Sequence, residues 1–285
     1  MSTAGGLPLA VDRAMAHGCE TLQIFSKSSN QWRARRLPSG EIAEFRRKVE
    51  ASGIAPVVAH AGYLINLASA QPRLRARSIA SFGDEVDRAE ALGLLGVVIH
   101  PGSYTDGTEK TGLLAVAAAL AIILRARPRG RTMVLLEQTA GQGTALGHRF
   151  EQLADLLRWL RHHRRVGVCL DTCHLFAAGY DIASEAAYRA TFEAFDRIVG
   201  LQRLKVLHLN DSKKPCGSRV DRHEHIGDGT LGLEPFRRLL HDPRLEDVPM
   251  VIETPKSADR PRDPMDLDPL DVRNLRTLKA LRERP

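Results

Sequence analysis

Seven short apolar runs, separated by segments with helical spacing, constrain the fold of this chain more than any other feature of its sequence. The runs are continuous rather than alternating, which is typical of strands that are covered on both faces. Runs and helical segments follow one another at intervals of roughly 35 to 45 residues, the pattern of parallel βα units. The apolar runs occupy residues 21–26, 56–60, 94–100, 133–138, 166–171, 204–210 and 248–254.

Helical spacing is found between the runs, for example at residues 78–92, 113–126, 150–160, 187–199 and 233–240. Seven strands in 285 residues favour a TIM (β/α)8 barrel over a doubly wound sheet, although alternation alone does not separate the two. No linker composition divides the chain. We therefore predict an α/β fold with a single TIM-barrel domain over residues 1–285, in which a Pro- and Asp-rich loop at 255–271 precedes a short terminal helix.

The eighth strand of such a barrel is not visible at the start of the sequence. A turn-like segment at residues 2–6 and a helix-compatible segment at 9–17 precede the first apolar run, and no strand pattern precedes them. The first barrel strand is therefore expected to be truncated. Either the coding sequence begins upstream of Met1, the alternative we favour, or the barrel closes imperfectly and leaves two strand edges without partners.

Charge and cysteine content narrow the class of partner and compartment. Lys and Arg total 41 against 34 Asp and Glu, a net charge of +7 that favours a polyanionic partner without proving one. Four cysteines without a CxxC pair do not make a disulfide framework, so a reducing, cytoplasmic location is expected. The N-terminus lacks the apolar core of a signal peptide, and the longest apolar run, at 113–124, is shorter than the ~20 residues of a membrane span.

Metal-ligating residue types stand at the end of six runs and in the segments that follow them. Because the carboxyl ends of parallel barrel strands meet on one face, these side chains are expected to share one cleft. His, Asp and Glu supply the nitrogen and oxygen ligands of zinc and similar divalent ions. Nine are too many for one ion and about right for three, provided that a carboxylate bridges two ions, and adjacent metals are used in phosphoester hydrolysis. The nine candidates are His60, His100, Glu137, Asp171, His174, His208, Asp221, His223 and Glu253.

A single His at a strand end is more often a hydrogen-bonded polar residue than a ligand, but six consecutive strand ends with ligand types are hard to reach by chance. The other histidines lack such company and are interpreted as structural, with His225 ambiguous because it follows His223 by two positions. Cys169 is expected to pack in the core and Cys173 in the loop after Asp171.

Seven sequence blocks resemble the endonuclease IV family of apurinic/apyrimidinic endonucleases, in family order from about Thr3 to Thr254. They are HAGYLINLA, VIHPGS, LLEQTAGQG, GVCLDTCHLFAAGYD, HLNDSK, SRVDRHEHIGDG and VIETP. The resemblance implies a TIM barrel with three zinc ions that cuts the phosphodiester bond 5′ to an abasic site and leaves a 3′-hydroxyl. It also implies a ligand set for each ion: His60, His100 and Glu137 for the first; Glu137, Asp171, His208 and Glu253 for the second; His174, Asp221 and His223 for the third.

The resemblance also suggests roles in catalysis and DNA binding. Glu253 is expected to orient or deprotonate the attacking water, and Glu137 to bridge the first two ions, so both are predicted as catalytic. Tyr63 matches a family position that lines the pocket for the extruded abasic sugar. Gln31, Trp32 and Arg33 combine an aromatic ring with a cation and are predicted to contact DNA. The alternative is a solvated helix start with Trp32 packed beneath it.

Two departures from the family pattern and two rival functions stay open at this point. Asn30 stands where the family often carries Arg, and the Pro- and Asp-rich stretch has no clear family counterpart. A metal-dependent sugar isomerase or epimerase of the same barrel class is the first rival, and a barrel that binds damaged DNA without cutting it is the second. The expected partner is double-stranded DNA with abasic sites, bound by a monomer, with no membrane association.

Overall fold

A seven-stranded parallel sheet forms the centre of the molecule in the computed structural model, which describes residues 1–257 and 267–283. Each predicted apolar run contains one strand of this sheet. The strands are β1 Leu22–Ile24, β2 Val57–His60, β3 Gly96–Ile99, β4 Met133–Glu137, β5 Val166–Asp171, β6 Leu204–His208 and β9 Met250–Val251. Neighbouring strands pair in parallel in the order β1-β2-β3-β4-β5-β6-β9. A separate antiparallel pair, β7 Asp211–Ser212 and β8 His223–Glu224, follows β6.

Helices alternate with the strands along the part of the chain that the structure describes. They are α1 Leu7–Ala16, α2 Ser39–Ser52, α3 Pro72–Leu92, α4 Glu109–Arg125, α5 Phe150–Trp159, α6 Thr172–Ala178, α7 Glu185–Ile198, α8 Glu234–His241 and α9 Pro269–Glu283. The prediction that residues 255–271 form a loop is wrong at its end, because α9 begins at Pro269. Residues 258–266 of that predicted loop lie outside the described residues, and the single-domain organisation stays a prediction.

The inside of the barrel is filled by one layer of apolar side chains with one member from each of six strands. Its members are Val58, Val98, Leu135, Cys169, Val206 and Val251. The Cys169 side chain is fully buried in this layer, where the sequence predicted it to pack. Because side chains alternate between the two faces of a strand, the residue two positions after each member also points into the barrel. The next inward layer lies at the carboxyl ends of the strands.

The sheet is not closed. No pairing joins β1 to β9 among the described residues, and a groove of about 810 Å³ lies between these two strands, with α8 and α9 along its side. The Met1 amine lies in the groove and donates a hydrogen bond to the Gln23 carbonyl oxygen at 2.6 Å. Burial is the main cause that lowers the pKa of this amine to about 6. This gap between β1 and β9 is called the seam below.

Candidate metal centre

Six ligand-type side chains, at or just after the carboxyl ends of the strands, lie in one layer that faces the inside of the barrel. His60, His100, Glu137, Asp171, His208 and Glu253 each follow a member of the apolar layer by two positions. Alternation therefore aims all six at the barrel axis, just above the apolar floor. The sequence signal of a polar residue at the end of an apolar run thus has a simple geometric basis.

The first group of ligand atoms surrounds one oxygen of Glu137. His60 Nε2 lies 3.0 Å and His100 Nε2 lies 3.1 Å from Glu137 Oε2. A tetrahedral zinc site with bonds near 2.05 Å has ligand-to-ligand edges of roughly 3.3 Å. The spacing of these three atoms fits one such ion.

The second group uses the other oxygen of the same carboxylate. His208 Nδ1 lies 3.2 Å from Glu137 Oε1, 3.2 Å from Glu253 Oε2 and 3.7 Å from Asp171 Oδ2. The ligand atoms of these four residues all lie within 4.8 Å of one another. Glu137, which is fully buried, therefore lies between two groups, as a bridging carboxylate would.

The third group comes from α6 and from the segment that leads into β8. Asp171 caps α6 by accepting a hydrogen bond from the His174 backbone N–H at 2.9 Å, and this places His174 beside it. His174 Nε2 lies 3.2 Å from Asp221 Oδ2, and His223 Nε2 lies 3.3 Å from Asp221 Oδ1. Asp171 also falls within 4.8 Å of the ligand atoms of His174 and His223. The resemblance assigned Asp171 to the second ion only, whereas the geometry places it between the second and third groups.

Cys173 also approaches the third group. Its sulfur lies within 4.8 Å of the ligand atoms of Asp221 and His223. Burial is the main cause that raises the pKa of this thiol to about 12. The side chain is fully buried, as expected for the packing role that the sequence predicted.

The outward nitrogens of four histidines face hydrogen-bond acceptors. His60 Nδ1 lies 2.8 Å from the Ala61 carbonyl oxygen, His174 Nδ1 3.0 Å from that of Gln138, and His223 Nδ1 3.1 Å from that of Glu253. His208 Nε2 faces the Gln23 side-chain oxygen at 3.0 Å. An acceptor on one ring nitrogen fixes the N–H there and leaves the lone pair of the other nitrogen free to bind a metal. The donor set is therefore arranged for cations.

The pKa shifts in these groups also indicate a site for cations. Burial alone would lower the pKa of His174, but Asp171, Asp221 and Glu137 raise it well above its usual value. Burial would likewise raise the pKa of Glu253, yet the charge and hydrogen bond of His208 hold it below its ordinary range. The neighbouring histidines likewise lower the pKa of Glu137, so Glu137 and Glu253 stay ionised and are stabilised by positive charge beside them.

Two amide side chains that the sequence analysis missed support the ligand-type residues. Gln23 Nε2 donates to Glu253 Oε1, while Gln23 Oε1 faces His208. Asn210 Nδ2 donates to Asp171 Oδ2 at 2.6 Å, and Asn210 Oδ1 accepts the Glu253 backbone N–H at 2.8 Å. Both residues lie within predicted strand runs. An amide side chain is not a typical metal ligand, however, so the sequence pattern did not single them out.

The predicted DNA-contact residues lie around the mouth of this layer. Tyr63 is 67% exposed, and it lines a pocket of about 410 Å³ together with His60, His100, His174 and Asp221.

Further along the rim, Gln31 and Arg33 are exposed, whereas Trp32 is half-buried with the Arg77 guanidinium 4.4 Å above its ring. The alternative of a helix start at Trp32 is wrong, since α2 begins only at Ser39. Packing of Trp32, the other part of that alternative, is observed.

The remaining histidines lie outside these groups in the described part of the chain. His225, the ambiguous one, accepts a hydrogen bond at Nδ1 from the Asn274 side chain, 3.0 Å away. This contact supports a structural role for His225.

Comparison with known proteins identifies the family of this chain. A profile described as a xylose isomerase-like TIM barrel matches residues 11–277. A protein from Chloroflexus aurantiacus named probable endonuclease 4 is 50% identical over 267 residues, which cover 94% of both chains. The chain belongs to the endonuclease IV family. The crystal structure of endonuclease IV from Thermus thermophilus matches with a TM-score of 0.86 and 41% identity, covering 100% of this chain and 98% of that one.

Membership of the endonuclease IV family confirms the predicted TIM barrel and the predicted hydrolase class. Sugar epimerases share only the fold. D-psicose 3-epimerase from Clostridium cellulolyticum matches with a TM-score of 0.68 at 16% identity. None of the described helices is long and apolar enough to cross a membrane.

Proposed function

We propose that this chain hydrolyses the phosphodiester bond on the 5′ side of abasic sites in double-stranded DNA and leaves a 3′-hydroxyl. The observation that carries the proposal is the linked set of three ligand groups beneath an open pocket, with Glu137 and Asp171 each shared by two groups. Family membership supports the reaction class.

The nine side chains would hold three zinc ions in the sets that the geometry groups together. Zinc supplies Lewis acidity and lowers the pKa of water near it. The protein holds Glu137, Asp221 and Glu253 ionised. It fixes the histidine tautomers through the Ala61, Gln138 and Glu253 carbonyls and through Gln23. His60, His100 and Glu137 form the first set; Glu137, Asp171, His208 and Glu253 the second; and His174, Asp221 and His223, with Asp171 alongside, the third.

Glu253 is the most exposed member of the second set. Its side chain is 24% exposed, while the side chains of His208, Glu137 and Asp171 are fully buried. Gln23 holds one of its oxygens and His208 contacts the other. An ionised, oriented and accessible carboxylate can accept a proton from water that attacks the phosphorus, and we assign that step to Glu253.

DNA would approach from the face that carries the pocket. Tyr63 would stand against the extruded sugar, and Gln31, Trp32 and Arg33 would contact the strand beside it. An abasic nucleotide is easy to unstack, which lowers the cost of moving it toward the metals. We further propose that the enzyme acts as a monomer in the cytoplasm, consistent with its four free cysteines.

Incubation with a duplex that contains one abasic site tests the proposal. The protein should nick the strand 5′ to the lesion, and a chelator should abolish the nick. Glu253→Gln should lower turnover by about 10³-fold while zinc content and duplex binding stay near normal, whereas Glu246→Gln, at an exposed position away from the centre, should leave turnover unchanged.

Near-normal turnover of the Glu253→Gln variant would refute the role of Glu253. Retention of the duplex without a nick would favour a damaged-DNA binder. If the protein neither nicks nor retains the duplex, a sugar isomerase is the remaining candidate.

A further inference from the structure

A cluster of exposed arginines lies at the end of the barrel opposite the metal centre. Arg125 ends α4, Arg129 and Arg131 lie in the loop before β4, and Arg161 and Arg164 lie in the loop before β5. All five are exposed, and we call them the basic patch. These loops enter the strands at their amino ends, whereas the ligand groups lie at the carboxyl ends. A five-residue strand such as β4 separates the two faces by about 15 Å or more.

The two loops of the basic patch are joined by hydrogen bonds. The buried Arg165 guanidinium donates to the carbonyl oxygens of Leu124 at 3.2 Å and Arg127 at 2.7 Å. From the loop before β6, the Arg203 side chain donates to the His162 and Val166 carbonyl oxygens, both at 3.3 Å. The patch is therefore a defined surface rather than a set of independent tails.

The charge of the basic patch is not neutralised locally. Asp87 pairs with Arg127, and the Glu90 carboxylate accepts the backbone N–H groups of Arg131 and Thr132. No side chain of the patch makes an ion pair within the described residues, while arginines on other faces do, such as Arg189 with Glu185. Like charges this close repel each other, and this repulsion costs stability unless an anion is bound.

The pKa of a neighbouring histidine is consistent with an uncompensated positive charge. Burial is the first cause that lowers the pKa of His163, and the charges of Arg165 and Arg164 lower it further. Arg161 and His162 both have left-handed backbone angles, with φ of 54° and 49°, a conformation that non-glycine residues seldom adopt. Strain of this kind is retained more often at functional surfaces than elsewhere.

The chemistry of the basic patch favours nucleic acid over a lipid surface. Guanidinium groups form two-pronged hydrogen bonds with phosphate, and neutralised phosphates release counterions from DNA. Stable membrane binding needs apolar anchors besides charge. Among the described residues, Ile122, one turn before Arg125 on α4, is the one exposed large apolar side chain close in sequence to the patch, and none lies in the two loops.

We propose that the basic patch is a second binding surface for the phosphate backbone of duplex DNA, so that one molecule contacts two duplex segments at opposite ends of its barrel. The proposal rests on the patch itself and does not depend on cleavage at abasic sites. It predicts capture of a second segment while the metal-centre face holds the first.

A four-arginine variant tests this surface. Arg129, Arg131, Arg161 and Arg164 are changed together to Gln, and the matched control carries Gln at Arg46, Arg47, Arg189 and Arg276, which are exposed on α2, α7 and α9. Donor-labelled and acceptor-labelled undamaged duplexes are mixed with each protein, and energy transfer reports bridging. Sedimentation velocity checks that one protein molecule carries two duplexes.

The wild type and the control should bridge the duplexes, and the patch variant should lose most of the transfer. The salt dependence of log K for the undamaged duplex should become shallower by about 3 in the patch variant only. Nicking of a short abasic duplex should be unchanged in the patch variant, and its failure in the wild type would count against the proposed function alone. Unchanged bridging and salt slope in the patch variant, or binding only to vesicles of phosphatidylserine, would overturn the second DNA surface.

Discussion

Gln23 shows how one uncharged side chain holds two residues of the proposed metal centre. It lies on β1, its amide nitrogen holds Glu253, and its amide oxygen accepts from the nitrogen of His208 that points away from the ligand group. Its side chain therefore orients two members of the second set without being a ligand. We describe it as a positioning residue.

Replacement of Gln23 by Ala should weaken metal binding at one set only. His208 would lose the acceptor that fixes its tautomer, and Glu253 would lose a donor, changes that typically cost 10- to 100-fold in metal affinity or activity. Zinc release to a chromogenic chelator should show one fast ion and two slow ones. Gln202→Ala, at an exposed position before β6, provides the control. Equal release of all ions from wild type and the Gln23 variant would contradict this role.

The ligand-type residues could be predicted from sequence, whereas Gln23 and Asn210 could not. His60 or Glu137 at the end of an apolar run is unexpected in a buried strand, and that contrast is visible without a structure. Gln23 lies in the middle of a run, and its role depends on Glu253, 230 residues away. The shared position of Asp171 also needs the geometry, because sequence order does not say which sets are neighbours.

At the scale of elements, a buried ion pair ties two rim loops to α3. Lys27, after β1, lies 3.4 Å from Glu85 on α3, and both side chains are buried. Lys27 also donates to the Trp32 carbonyl oxygen at 3.3 Å, and Glu85 accepts the Gly62 backbone N–H at 3.1 Å. The pair thus anchors the loops that carry Trp32 and Tyr63.

Removal of one partner should cost much more than removal of both. Glu85→Ala leaves the buried Lys27 charge with only the half-exposed Asp84 carboxylate, 3.7 Å away, as an acidic partner, and we expect a loss of about 3 kcal/mol in the free energy of unfolding. The double variant Lys27→Met, Glu85→Leu should recover most of that loss, because a buried ion pair is close in stability to an apolar replacement. Urea denaturation at pH 7 measures all three proteins. A Glu85→Ala variant as stable as the wild type would rule out this anchoring role.

Asp242 links α7 to the turn after α8 and gives a pH-dependent contribution. It accepts hydrogen bonds from the Tyr188 hydroxyl at 2.8 Å and from the Arg244 guanidinium at 2.6 Å. Burial would raise the pKa of Asp242, but the hydrogen bonds from Arg244 and Tyr188 hold it below its usual value. A lowered pKa in the folded state means that the stabilisation is complete above the unfolded pKa, near 3.9, and is lost as the pH falls through the folded pKa.

Asp242→Asn should therefore destabilise the protein at neutral pH and have little effect in acid. We expect a loss of about 1 to 2 kcal/mol at pH 7 that shrinks below about pH 4. Urea denaturation at pH 7, 5 and 3 checks the trend, with the exposed Asp247→Asn as the control. If the difference in the free energy of unfolding between Asp242→Asn and the wild type stayed constant from pH 7 to pH 3, the charge of Asp242 would not be its cause.

The elements themselves were predictable to the extent that apolar periodicity marks them. All seven strands of the parallel sheet lie within the predicted runs, whereas the short β7 and β8 lie outside them. α3 begins at Pro72 rather than near residue 78, because its first turns are rich in arginine and bury little. α2, with Phe45 as its one fully buried side chain, and α6, only seven residues long, lack the pattern that sequence analysis needs.

At the scale of the whole molecule, the open seam between β1 and β9 is the main departure from a closed barrel. The groove has a volume of about 810 Å³, and both edges offer backbone groups that no other strand pairs within the described residues. Unpaired edges cost hydrogen bonds and invite contact with other chains.

An added segment of about eight residues before Met1, with alternating apolar and polar side chains, should fill the seam. Ladder hydrogen bonds contribute about 1 kcal/mol each, so we expect the melting temperature to rise by about 5 °C. Scanning calorimetry compares this protein with one that carries a Gly/Ser extension of equal length. If both extensions gave the same melting temperature, the seam would not be the site that the segment fills.

The residue that faces the seam is also the residue that orients Glu253 and His208. The backbone carbonyl oxygen of Gln23 accepts a hydrogen bond from the Met1 amine, while the Gln23 side chain contacts the second ligand set. Changes that displace Met1 from this contact would therefore affect the second ligand set, although they alter no ligand. Preparations that differ only there should be compared for zinc content before their activities are.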